Sequence, residues 1–129
     1  MAAAKYDFVS NGCDGTPLEV GATFSYQLIW EIETPVDSNI YAPVDLTGYT
    51  GKMQVRMSAG SPVILELSTT NGRITFDALN GIINLVVPAS VTAPIVANVY
   101  RYDLDLIDGN GFVTRFIQGL FEVVAGITS

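Results

Sequence analysis

From Val99 to Val124 the chain reads VYRYDLDLIDGNGFVTRFIQGLFEVV, two alternating runs joined by Asp108-Gly109-Asn110-Gly111. Those four residues tolerate positive φ, which a tight hairpin demands of its connection. In the first run Tyr100, Tyr102, Leu104 and Leu106 share one face, and Arg101, Asp103 and Asp105 the other. Alternation of this kind fixes register, because a slip of one residue would carry every apolar side chain out of the core. The second run, Phe112 to Val124, loses its parity near Gly119, where a β-bulge is expected.

The same period recurs upstream. Thr23 to Glu33 places Phe24, Tyr26, Leu28, Trp30 and Ile32 on one face, and predicts one long strand. Lys5 to Ser10 reads as a first strand or an N-terminal arm (residues 1–10). Gly51 to Met57 alternates with Met53, Val55 and Met57 inward. Val63 to Ser68 and Arg73 to Asp77 flank Thr69-Thr70-Asn71-Gly72, a hairpin signal. Ile82 to Val87 follows the turn at Asn80-Gly81, and Pro88 to Pro94 reads as a helical turn capped by Ser90 or Thr92. Between these lies residues 34–48, a long loop with Pro35 and Pro43; loops of that length are often functional. About eight strands with frequent turns and no amphipathic helix predict an all-β fold, an antiparallel Ig-like β-sandwich, in a single domain of residues 1–129.

Composition narrows the chemistry. The net charge is −7, and Lys5, Lys52, Arg56, Arg73, Arg101 and Arg115 are scattered. Nucleic-acid binding needs clustered positive charge, so none is expected, and an anionic membrane surface is disfavoured for the same reason. No apolar run approaches the roughly 20 residues that span a bilayer, so no membrane insertion is expected. Met1 to Lys5 lacks the pattern of a signal peptide. There is no His, which removes the usual neutral-pH base and the commonest zinc ligand. Cys13 is the only cysteine, so no internal disulfide forms. Only 15% of residues are charged, consistent with a surface partly covered by a partner.

Each chemical motif has a duller reading that weighs more. Glu31 and Glu33, and Asp103 and Asp105, lie two apart on strands, roughly the spacing of an inverting glycosidase pair. Alternation alone generates such pairs on a solvated face. Asp103, Asp105, Asp108 and Asn110 depart from calcium-loop spacing and read as strand and turn. Cys13 has Asp14 beside it, which raises a thiol's pKa, and so reads as an inert loop thiol or a contact with another chain. Tyr26, Trp30, Tyr100 and Tyr102 sit on apolar faces and read as core. Tyr41 and Tyr49, in or beside the long loop, suit interface anchors. No catalytic, metal or cofactor site is expected.

The order of features carries a family resemblance. DLTGYTGKMQVR is followed by an apolar strand, NGRITFD, an apolar strand ending in Pro-Ala-Ser, then VYRYDLDLIDGNG and VTRFIQGLFEVV. Over roughly Asp45 to Thr128 this resembles small tailed-phage and prophage virion proteins with Ig-like sandwiches. It is similar in plan to baseplate upper protein N-terminal and fibre-attachment domains. The resemblance implies a non-enzymatic structural protein of a bacteriophage virion, an adaptor in tail, baseplate or neck, assembled in the host cytoplasm. The partners it implies are other virion proteins and copies of this chain in a symmetric assembly. Tyr6 and Phe8 of the N-terminal arm, with Tyr41 and Tyr49, are then the expected contact residues. A head decoration protein and a carbohydrate-binding host-recognition module are the alternatives.

Overall fold

The computed structural model describes residues 4–10, 12 and 14–126. Cys13 lies outside the described residues. The all-β class holds: among the described residues eleven strands form three sheets, with a 3-10 turn at Ala78–Asn80 and one α-helical turn, α1 (Ala89–Thr92). The strands are β1 (Ala4–Lys5), β2 (Leu18–Glu19), β3 (Phe24–Ile29), β4 (Glu31–Glu33), β5 (Tyr41–Pro43), β6 (Thr50–Arg56), β7 (Val63–Ser68), β8 (Ile74–Asp77), β9 (Ile82–Val87), β10 (Asn98–Ile107) and β11 (Val113–Val124). The larger sheet runs β1-β11-β10-β6-β7, with β2 also on β11; the second runs β3-β9-β8; β4 and β5 stand as a separate pair. Buried residues of the two larger sheets form one core, and at Gly51 of β6 a Cβ would lie 3.3 Å from Ile74 of β8.

The expectation of eight antiparallel strands needs correction. β1 and β2 both pair with β11 in parallel. They close the edge of the sheet with chain from the N-terminus, so KYDFVS is neither a free arm nor one long strand. The backbone N–H of Phe8 donates to Leu120 O at 2.9 Å, and Phe8 O accepts from the Glu122 N–H at 2.8 Å.

The predicted strand from Thr23 to Glu33 divides at Trp30. Its N–H donates to Gly81 O while its carbonyl accepts from the Val44 N–H, so one residue serves two different neighbours. Before it, β3 pairs with β9; after it, β4 pairs with β5. Ile32 is therefore 52% exposed instead of inward. Met57, also expected inward, lies past the end of β6 and is exposed.

The signal at Thr69–Gly72 marks a corner, not a hairpin. β7 belongs to the larger sheet and β8 to the second. Asn71 Oδ1 accepts from the Ser68 and Arg73 N–H groups, turning the chain across the core. The helical turn α1 has Pro88 at its N-cap position and no side-chain cap. Thr92, expected there as a cap, is buried, accepts from the Gly21 N–H and lies 2.8 Å from Ala22 O.

The bulge falls at Phe116 rather than Gly119: Leu104 faces Ile117, but Asp105 faces Arg115. The extra residue turns Phe116 toward Trp30, with ring centroids 5.1 Å apart. Gly119 has another role. A Cβ there would stand 2.5 Å from Tyr6 O and from Asp7 Oδ1, so only glycine lets the N-terminal segment lie against β11. Gly119→Ala should destabilise the protein by about 1–3 kcal/mol, as forced overpacking does. A urea melt that matches the native protein within about 0.5 kcal/mol would contradict this account.

Candidate functional site

The four expected contact residues part company in the structure. Phe8 is fully buried. Its ring contacts Tyr6, Tyr26 and Tyr102 with centroids 5.2 Å away in each case, and Phe24 and Phe121 at 6.0 and 5.6 Å. It is a core residue, which corrects its place as a contact. Tyr6 is half-buried with its hydroxyl hydrogen-bonded to that of Tyr26. Tyr49 is half-buried edge-on to Trp30, centroids 6.2 Å apart. Tyr41 alone of the four is largely open, at 60% exposure.

Burial pushes the phenols of Tyr102 and Tyr6 well above the ordinary tyrosine range. At Tyr102 the charge of Asp7 adds to this, and at Tyr6 the hydrogen bond with Tyr26 does. Tyr102 also donates to Tyr6 O at 2.5 Å. Folding thus favours the protonated phenols. Their contribution is complete below about pH 10, where an unfolded tyrosine ionises, and is lost as pH climbs beyond. Tyr102→Phe should cost about 1 kcal/mol near neutrality and flatten the alkaline loss of stability. Denaturant melts between about pH 7 and 11 measure both effects.

Tyr41 belongs to the feature that the sequence presents as a loop. Residues 31–43 form a β-hairpin, with Glu31 opposite Pro43 and Glu33 opposite Tyr41. Its tip is held by Glu33, whose two carboxylate oxygens accept from the N–H groups of Asp37 and Asn39 at 3.1 and 2.8 Å. Asp37 and Asn39 take φ of 64° and 61°, in the left-handed region that these two residue types best tolerate. The hairpin exposes Ile32, Val36, Ile40 and Tyr41, with Val36 81% open. Exposed apolar side chains are ordinary one at a time, whereas these four sit together on one short hairpin. Its base is firm: the Val44 and Leu46 N–H groups donate to Trp30 O and Ala78 O, and Trp30 packs on Tyr49 and Phe116. Asp45 then accepts from the Thr47 hydroxyl and N–H, which holds its carboxyl below the usual range and shapes the turn into β6.

One carboxylate of each acidic pair, and Asp108, is held in structural contacts. Glu33 caps the hairpin tip. Asp105 pairs with Arg115 at 2.9 Å, and Asp108 accepts from the Asn110 and Phe112 N–H groups in its turn. Among the described residues no three acidic, His or Cys side chains converge as metal ligands would. No helix among them is long and apolar enough to cross a membrane. Sequence reasoning missed Ile32, Val36 and Ile40; the available signal was apolar residues set among Asp, Ser, Asn and Pro. Phe8→Ala should cost about 3–5 kcal/mol, and a chain lacking residues 1–8 should not reach the native near-UV circular dichroism.

No family model matches the chain, and no curated protein matches it. Among solved structures it is similar to the N-terminal domain of phage TP901-1 ORF48. The two share 13% identity, with 98% of this chain and 99% of that one covered and a TM-score of 0.44.

Proposed function

We propose that this chain is a non-enzymatic structural protein of a tailed-bacteriophage particle, an adaptor of tail, baseplate or neck that acts through protein–protein contact. The observation that carries the reading is the β4–β5 hairpin, whose exposed Ile32, Val36, Ile40 and Tyr41 are displayed on a firmly bonded base. A catalytic site converges polar groups in a concave, desolvated place. Here the exposed groups are apolar and spread over both faces and the tip of a hairpin, Ile32 opposite Ala42 on one face and Tyr41 opposite Glu33 on the other, which suits docking. The resemblance of residues 45–128 to virion sandwich domains supplies the setting. The scaffold itself is read as an Ig-like sandwich in which the N-terminal chain doubles an edge and the hairpin is an addition; the opposed six- and three-stranded sheets support that reading.

Replacing Val36, Ile40 and Tyr41 together by Ser tests the role of the hairpin. These side chains lie outside the core, so the melting transition should move little. Incorporation into particles should be lost, as read by quantitative mass spectrometry of purified virions. Native protein at about ten copies per particle fits a ring in the tail or neck. Copies in the hundreds would move it to the capsid as a decoration protein, and absence from the particle would sink the virion reading.

A further inference from the structure

Arg56 and Arg101 stand directly opposite each other on β6 and β10. Both point to the outer face of the larger sheet, since Val55 and Tyr102 beside them are buried. Like charges in this position repel. The three ion pairs among the described residues use Lys5, Lys52 and Arg115, so neither arginine has a carboxylate partner there. Arg56 donates to Ser61 O at 2.7 Å and Gln54 Oε1 at 2.8 Å, both neutral acceptors. With Gln54, Asp103 and Gln118 the two arginines line an open depression of about 300 Å³. Asp103 is the one carboxylate in it, and its charge also acts on Arg115. The fork of a guanidinium matches a carboxylate, and two side by side hold one more tightly.

The rest of the chain offers the complement. From Tyr6 to Gly51 there are seven acidic residues and no Lys or Arg. On the β4–β5 hairpin Glu33 is committed to the tip, while Glu31 and Asp37 are exposed and make no ion pair among the described residues. The hairpin base adjoins the turn that leads into Thr50, the first residue of β6. Arg56 ends β6, about 20 Å further along at the usual strand rise. The two surfaces sit at opposite ends of the sheet, so one chain does not join them to each other.

We propose that the Arg56–Arg101 depression is a carboxylate-binding site, and that its occupant is the acidic β4–β5 hairpin of a second copy of this chain. Such a contact is head-to-tail, so its repetition closes a ring or extends a filament. Glu31 and Asp37 supply the carboxylates, and Tyr41, on the same face of the hairpin as Glu31, loses water in the same contact. The inference rests on the reading of the chain as a structural protein, to which it adds the partner.

Sedimentation velocity of the full chain tests it. Self-association should be concentration-dependent and at least about tenfold weaker in about 0.5 M NaCl than at low salt. Arg101→Glu and Glu31→Lys alter exposed side chains, and each should leave the protein folded by circular dichroism and monomeric. An equimolar mixture of the two variants should associate again. The acidic depression of the first variant then meets the basic hairpin of the second, and the unaltered hairpin of the first meets the unaltered depression of the second. Arg101→Gln, a milder change, should weaken association without abolishing it. A native protein that stays monomeric to about 1 mM would overturn the proposal. So would association indifferent to Arg101→Glu, or a mixture that stays monomeric. Saturable binding of inorganic phosphate without self-association would also overturn it and give the site to a small anion. Virions that contain the chain, with a purified protein that does not self-associate, would defeat this inference and leave the structural role standing. Self-association with absence from virions would do the reverse.

Discussion

Burial of the Phe8 ring ties the N-terminal chain to both sheets at once. Its ring meets Phe24 and Tyr26 from the smaller sheet and Tyr102 and Phe121 from the larger. Its backbone is locked to β11 on both sides, through Leu120 O and the Glu122 N–H. Three further features depend on that placement. Gly119 must lack a side chain for Tyr6 and Asp7 to pass, Gly15 must lack one to lie against the Phe8 ring, and Tyr102 must reach Tyr6 O with its hydroxyl. A parallel edge made from the chain's beginning and its last strand is a long-range contact, closed only when nearly all of the chain is in place. It also covers one flank of β11, which an open sheet would leave to aggregate.

Trp30 sets the second constraint. A strand continuing past it would need β9 to continue alongside, but the chain turns at Gly81, which takes φ of 65° and sits so close that a Cβ would lie 2.5 Å from Trp30 O. With that neighbour gone, the residues after Trp30 find their hydrogen bonds in β5 instead. An isolated two-stranded hairpin is marginal in water. This one is held by the aromatic packing of Trp30 on Tyr49 and Phe116 and by the backbone bonds at Val44 and Leu46. The bulge at Phe116 is what brings that ring to Trp30.

The parts legible in the sequence are those where one face of a strand is dry. Tyr100 to Leu106, and Met53 and Val55, alternate as read, because each lies in a strand paired on both sides over the core. What alternation does not carry is the identity of the neighbour. Phe24 to Ile32 keeps its period across Trp30 although the partner changes there. The turn Thr69–Gly72 looks alike whether it returns to the same sheet or crosses to the other; the difference is the direction that Asn71 imposes through Ser68 and Arg73. For the candidate site, Tyr41 was legible as an exposed aromatic, whereas Phe8 was not legible as core. Its burial comes from Gly15, Phe24, Tyr102 and Phe121, which are distant in sequence or lack any apolar side chain.

These two constraints divide the molecule by the cost of change. Around Phe8 every position is coupled to another, so a change of one side chain displaces backbone in the closing edge. The hairpin beyond Trp30 is coupled to the core only at its base, and its tip is held by Glu33 within the hairpin itself. Local stability follows such boundaries: segments with few buried contacts open and vary without the rest. A surface that must match a partner is best carried there, because Val36, Ile40, Glu31 and Asp37 can be exchanged at little cost to the fold. The opposing arginines follow the same logic in reverse. Arg56 and Arg101 lie on two of the most firmly paired strands, where their repulsion is tolerated because the register is set by Met53, Val55, Tyr102 and Leu104 on the other face. The proposed repeating contact thus sets a poorly compensated positive pair on paired strands against an acidic hairpin held to the core at its base.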